Sequence, residues 1–289
     1  MGFSGARQLA YAQDAGKYLY ASFRKLPSLT MNAGYWVDLS MSSGNPAPNY
    51  YIGPQNTFTP LRQSTNGGLR HGGNVSPNKK FLRKLMVQTS IATPLPVAFK
   101  LMDYIGFYGF IDESILTEQF LDNTTPLPRY ADGVGVQIMP VVVAAHTSNT
   151  QTFTVNYTNQ DGVAGRVTNE ARMSFQTVNG TILHSQQTSG AFVNNGPFLS
   201  LQGNDSGVRS IESVTIGGVG DVGLFALVLV KPIASISLYE ITAASETDYL
   251  VDASSLPIIE DDAYLNFIAL PNASLSSAPI IGIIETTWS

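Results

Sequence analysis

Residues 207–241 read GVRSIESVTIGGVGDVGLFALVLVKPIASISLYEI. Val208, Ile211, Val214 and Ile216 are scattered among Ser and Thr before GGVGD interrupts the run. Residues 224–230 then form a continuous apolar segment, closed by Lys231-Pro232. Between 233 and 241 the chain alternates, with Ile233, Ser235, Ser237 and Tyr239 opposite Ala234, Ile236, Leu238 and Glu240. Short Val- and Ile-rich runs punctuated by Gly and Pro are strand signals. A run apolar at every position predicts a central strand covered on both faces. The core is therefore a stack of β-sheets.

Strand patterns extend outward on both sides. VGVQIMPVVVAA (134–145) precedes QTFTVNYTNQDG (151–162), and LPIIEDDAYLNFIALP and APIIGIIETTW close the chain. Within SFQTVNGTILHS (174–185), Asn179-Gly180 between two alternating runs predicts a solvent-facing type I′ hairpin loop. Residues 76–93 favour a strand over a helix, because Phe81, Arg83, Leu85 and Val87 alternate. The best helix candidate is DESILTEQFL (112–121), with Asp112 as cap and Ile115, Leu116, Gln119 and Phe120 on one face. Residues 4–25 open either as a short helix capped by Ser4 or as an extended arm. About ten strands at turn spacings predict a mainly β fold. Its core is a β-sandwich or jelly roll over residues 91–289. Residues 1–90 form a basic, Gly/Pro/Asn-rich, loop-rich N-terminal arm or small subdomain, and one short helix completes the plan. No 20–50-residue repeat is present, which excludes a solenoid or propeller.

The 289 residues are 44% hydrophobic and 13% charged, too apolar for a disordered chain. Polarity is carried by Ser, Thr, Asn and Gln, which suits large protein contacts where buried charge is costly. Absence of cysteine excludes disulfides, thiol nucleophiles and zinc–thiolate sites. The N-terminus lacks the apolar core of a signal peptide. The longest apolar run, 222–230, is far short of the roughly 20 residues that span a bilayer, so no membrane partner is expected. Charge is unevenly divided. Residues 1–100 hold 11 Lys/Arg and 2 Asp/Glu, a net of +9, against 5 and 19 in residues 101–289, a net of −14.

Candidate chemistry is sparse. His71, His146 and His184 have no metal-ligand spacing and read as turn or solvated histidines. Glu260-Asp261-Asp262 reads as a solvated turn, since adjacent strand residues point to opposite faces and cannot converge on a cation. GGVGDVG (217–223) lacks both the P-loop Lys and the dinucleotide spacing and is a turn. With no GxSxG elbow, base or metal set, the expectation is no enzyme, no cofactor and no metal. Lys79, Lys80, Arg83 and Lys84 form a basic cluster, and Tyr35, Trp36, Tyr50, Tyr51 and Phe58 are the aromatic and apolar residues of the arm. Bases interleaved with aromatics can bind nucleic acid. Complementarity to the acidic part, within the chain or on the next copy, is the favoured reading, and these nine residues are the candidate subunit contacts.

The absence of cysteine, the arm SSGNPAPNYYIGPQ, the Ser/Thr/Asn-rich strands and the terminal IIGIIETTW together resemble structural proteins of tailed-bacteriophage virions. Capsid decoration and minor capsid proteins are the nearest in texture. A major capsid protein ranks lower, because no stretch has the long helical period of its spine helix. The resemblance implies self-association or binding to a capsid lattice of other capsid proteins, location in a virion assembled in the host cytoplasm, and no catalysis. The alternative is a carbohydrate- or receptor-binding β-sandwich, with Trp36, Trp288 and the 13 Tyr as possible aromatic platforms.

Overall fold

The computed structural model describes residues 3, 5–28, 33–147, 151–173, 178–184, 196–253 and 255–289. In chain order the strands are β1 (Tyr18–Leu26), β2 (Val37–Asp38), β3 (Ser43–Asn45), β4 (Phe58–Pro60), β5 (Lys80–Thr89), β6 (Val97–Asp112), β7 (Gln119–Phe120) and β8 (Gln137–Ala144). They continue with β9 (Thr152–Asn159), β10 (Arg166–Val167), β11 (Ala171–Arg172), β12 (Val208–Gly217), β13 (Leu224–Leu238), β14 (Ser245–Asp248), β15 (Ile258–Ile259), β16 (Leu265–Pro271) and β17 (Ile280–Trp288). Helices are α1 (Ala6–Asp14) and the single turn α2 (Gln63–Asn66). The protein is mainly β, with three antiparallel sheets packed as a sandwich.

The middle sheet has the order β2-β16-β6-β13-β8, with β4 also on β6. Residues 180–183 join its two ends. Thr181 bridges Val37 and Ile182 bridges Val141. The Asp38 N–H donates to the Gly180 carbonyl, and the Val142 N–H donates to that of Thr181. The middle sheet is thus a closed ring. Its interior is filled by Trp36, Tyr51, Met102, Tyr104, Phe107, Met139, Val228, Tyr264 and Ile268, among others.

An outer sheet packs on each side of this barrel. One has the order β14-β5-β17-β1-β3, with β15 on β5, and packs through Phe23, Leu85, Val87 and Ile284 against Phe99, Leu101, Leu265 and Phe267. The other, β10-β9-β12-β7 with β11 on β9, packs through Phe153, Val155, Tyr157, Ile211 and Val214 against Ile105, Tyr108, Phe225, Leu227 and Leu229.

This layering explains the apolar run at 224–230. In β13 Phe225, Leu227 and Leu229 face the outer core, while Ala226, Val228 and Val230 face the barrel interior, and all six are fully buried. The Lys231-Pro232 stop is in fact a bulge inside one 15-residue strand, with a register shift between Pro232 and Ala234. Pairing with β8 ends at Val230, so Pro232 sits where that edge of β13 is free and its missing N–H breaks no ladder.

Three local expectations are corrected. Residues 112–121 are not helical. The Asp112 carboxylate accepts from the Ser114 N–H and hydroxyl, the Gln119 amide bonds both backbone groups of Asp112, and β7 then pairs with β12. Asp112 closes a tight side-chain turn instead of capping a helix, and Ile115 and Leu116 stay exposed. The short helix is α1, whose cap position Gly5 makes no side-chain bond; Ser4 lies outside the described residues.

Asn179-Gly180 forms a turn in which the Thr181 N–H donates to the Val178 carbonyl and only Gly180 has positive φ, +88°. That is the pattern of type II, not type I′. Gly180 is buried between β2 and β8 rather than at a solvent-facing tip; flanking residues 174–177 and 185 lie outside the described residues.

Candidate functional site

Buried ionisable groups are the first place to look for chemistry, because burying a charge demands a partner. Each cluster here is committed to internal partners. Arg129 and Asp103 form a two-pronged pair, with Nε to Oδ2 at 2.8 Å and Nη2 to Oδ1 at 2.6 Å. Arg129 also donates to the carbonyls of Leu61, Asp262 and Tyr104. Asp38, fully buried at the end of β2, accepts from the Ser40 N–H and hydroxyl and from the Tyr51 and Tyr104 hydroxyls. Burial still raises its pKa against the effect of those donors. Lys25 donates to the carbonyls of Ser42 and Pro46, and burial lowers its pKa to about 8.

The histidines are buried, not solvated. His71 Nε2 lies 2.8 Å from the Ala263 carbonyl and its Nδ1 3.2 Å from Lys80 Nζ. His146 Nδ1 lies 3.2 Å from Glu113 Oε1, and His184 Nε2 2.8 Å from the Phe198 carbonyl. Among the described residues no group of three or more His, Asp or Glu converges as a metal site, and no helix is long and apolar enough to cross a membrane.

The acidic triplet is a further correction. The Asp261 carboxylate accepts from the Val75 and Ser76 N–H groups and from Lys80. Asp262 accepts from the Ser64 N–H and hydroxyl, and Arg62 is 3.8 Å away. The chain does turn here, but Asp261 and Asp262 are not simply solvated: they anchor the segment 62–80 to the barrel.

Burial lowers the pKa of both His71 and His184 to about 4, helped at His71 by nearby Lys80. Each stays neutral in the native state while the unfolded chain takes up a proton below about 6.5. Unfolding then binds protons, so stability is complete above about 6.5 and is lost as pH falls from there toward 4, by about 3 kcal/mol per histidine. Asp38, with its raised pKa, acts in the opposite sense. Urea titrations between pH 7 and 4.5 should show the loss, reduced in His184→Gln. A His184→Gln variant with the same pH dependence as the wild type would contradict a neutral native His184.

The nine candidate contact residues are placed as follows. Tyr35, Trp36, Tyr51 and Phe58 are buried in the chain's own core, and Lys80 is 1% exposed. Arg83 is half-buried and pairs with Asp248 and Glu285, and Lys84 pairs with Glu246. Tyr50 and Lys79 remain exposed. The basic cluster therefore meets acids of residues 101–289 within the same chain.

The surface that stands out instead is the outer face of the β14-β5-β17-β1-β3 sheet. Ile280, Gly282 and Ile284 of β17 point into the core, so Ile281, Ile283 and Glu285 point out. Register places Ile283 beside Met86 and Ser22, Glu285 beside Lys84 and Tyr20, and Thr287 beside Phe81 and Tyr18. The chain covers one end of this face itself. The Phe3 ring packs on Phe81 at 5.5 Å, Lys17 accepts from the Thr287 hydroxyl and the Trp288 N–H, and Leu9 and Ala12 of α1 are buried. Beyond α1 the face continues uncovered, with Tyr18 and Tyr20 exposed and Met86, Ile281 and Ile283 half-buried. An antiparallel sheet with a solvated face ordinarily alternates apolar-in with polar-out; here the outward side of β17 is apolar at Ile281 and Ile283 before Glu285 and Thr287 restore the alternation. The sequence signal was the run IIGII (280–284), apolar at both parities.

No protein-family model matches the chain, and no curated protein matches it. Among solved structures it is similar to the infectious bursal disease virus VP2 subviral particle, at 8% identity over 94% of this chain and 80% of that one, with a TM-score of 0.18. The infectious bursal disease virus Gt strain structure gives 8% identity over 94% and 78%, with a TM-score of 0.19. The T13 particle of the same virus gives 9% over 93% and 77%, with a TM-score of 0.16. Likeness at TM-scores of this size carries no argument about fold or function.

Proposed function

We propose that this chain is a non-enzymatic structural protein that assembles with copies of itself as part of a virion shell. The observation that carries the reading is the outer sheet face around Tyr20, Met86, Ile281 and Ile283, apolar where water would favour polar residues. The sparse charge and the commitment of each buried ionic cluster to partners inside the fold support it, as does the resemblance in texture to phage decoration and minor capsid proteins. Other capsid proteins are then the further partners, and assembly takes place in the host cytoplasm. Light scattering and electron microscopy of the purified chain test it. An oligomer or shell is expected, weakened by Ile283→Lys with little change in melting temperature. A wild-type chain that stays monomeric at every concentration overturns the proposal.

One observation favours a second reading, a carbohydrate-binding module. Tyr239, 72% exposed, borders two shallow depressions of about 350 and 450 Å³. Ser235, Ser237, Ser245 and Thr247 line the second. An exposed ring beside hydroxyls suits a sugar's apolar face and its polar rim. Trp36, by contrast, is buried and offers no platform. Glycan-array binding that Tyr239→Ala abolishes would favour this reading.

A further inference from the structure

We infer that the free edge of β1 pairs with the same edge of a second copy across a two-fold axis, so that one sheet runs through both subunits. This rests on the self-assembly reading above and names its contact. An open strand edge is a template for pairing, and proteins that must stay apart cover it, shorten it or place charge on it. The middle sheet is closed at its two ends by residues 180–183, and where β13 is free past Val230 that edge carries Lys231 and Pro232. In the sheet ordered β10-β9-β12-β7 the terminal strands are two residues long, and β10 carries Arg166. In the other outer sheet β14 carries Glu246 and Asp248.

β1 is different. It pairs with β17 along Tyr18 to Lys25, but β3 stands beside it only at Arg24, Lys25 and Leu26. The carbonyls of Ser22 and Leu26 receive bonds from Asn45 and Ser43, so residues of even number aim their backbone groups at the β3 side. Tyr18 and Tyr20 therefore present N–H and C=O groups, and Ser22 its N–H, where, among the described residues, no strand lies alongside; the Ser22 carbonyl is already met by the Asn45 amide. All three are exposed. Residues 18–23 hold no charge and no proline.

The window is also self-complementary. It is bounded by β3 at one end and, at the other, by Gly16, whose φ of +72° turns the chain off the strand line. Antiparallel pairing centred on Tyr20 sets Tyr20 against Tyr20 of the second copy, and Tyr18 against its Ser22. In an isologous contact every residue at the axis meets its own kind. A neutral edge permits this, whereas the acidic β14 edge would oppose like charges.

Sedimentation of the full-length chain tests the pairing. Tyr20→Lys and Tyr20→Glu should each weaken self-association at least tenfold, because like charges then face each other across the axis. An equimolar mixture should restore wild-type association, since Lys then meets Glu. Hydrogen exchange on the wild type, needing no variant, should show amides of residues 18–22 protected as concentration rises. Variants that associate as tightly as wild type, or exchange at 18–22 that is the same in monomer and oligomer, would overturn the edge pairing while leaving self-assembly standing. A wild type that never associates would sink both.

Discussion

Leu227→Asp should leave no soluble, cooperatively folding protein. Leu227 lies in the middle of β13, paired with Tyr108 of β6 on one side and Pro140 of β8 on the other, and is fully buried in the outer core. The substitution places a carboxylate among Phe153, Phe225 and Leu229 with no base nearby. Burying an unpaired charge costs far more than the roughly 5–15 kcal/mol by which a domain is stable, unless the group neutralises or the site opens to water. Leu227→Ala separates charge from cavity, and should cost about 2–5 kcal/mol yet still fold. Expression trials and urea unfolding read both. A soluble Asp variant with a sharp transition would remove β13 from the core.

Arg129→Ala is the second large effect, expected at about 3–5 kcal/mol, because it leaves Asp103 as an uncompensated buried charge. The guanidinium also ties three carbonyls from Leu61, Asp262 and Tyr104, so its loss loosens the loops around one end of the barrel. Replacing both partners by apolar residues, Arg129→Met with Asp103→Leu, should recover much of the loss, since a buried pair is often no better than well-packed side chains. Equal destabilisation by the single and double variants would mean that the backbone bonds, not the ion pair, dominate. Denaturant midpoints of the three proteins decide it.

The parts of the fold legible in the sequence are those where burial alone sets the pattern. Residues 224–230 are apolar at every position because two cores face them, and β9 alternates because one does. By contrast, β5 alternates only from Leu85 onward, since the shift between Leu82 and Lys84 puts Leu82 and not Phe81 on the core face with Leu85 and Val87. The failures come from residues whose local chemistry has two uses. Asp112 is an equally good partner for a helix start and for a side-chain turn, and only the distant pairing of β7 with β12 selects the turn. Asn179-Gly180 looks like a local hairpin, but Thr181 and Ile182 bridge strands far away in the chain. For the candidate surface, the charge split foretold that bases of the first part meet acids of the second, as Arg83 with Asp248 and Lys84 with Glu246 do. It could not reveal that Trp36 and Tyr51 fill a barrel, because ring closure leaves no periodic trace in residues 35–51.

The position of β17 governs when the protein can fold during its synthesis. β17 lies between β1 and β5, which precede it by about 200 residues or more, and touches both along its length. Until residues 280–288 leave the ribosome, β1 and β5 have no common neighbour, and their apolar inner faces wait exposed. Pairings between such distant segments form slowly, since the intervening chain must close as a loop first. The sheet whose free edge could recruit another copy therefore does not exist on a nascent chain until β17 has been made. Chains cut short before residue 280 would present the unpaired strands β1 and β5 to one another and depend on chaperones to stay soluble.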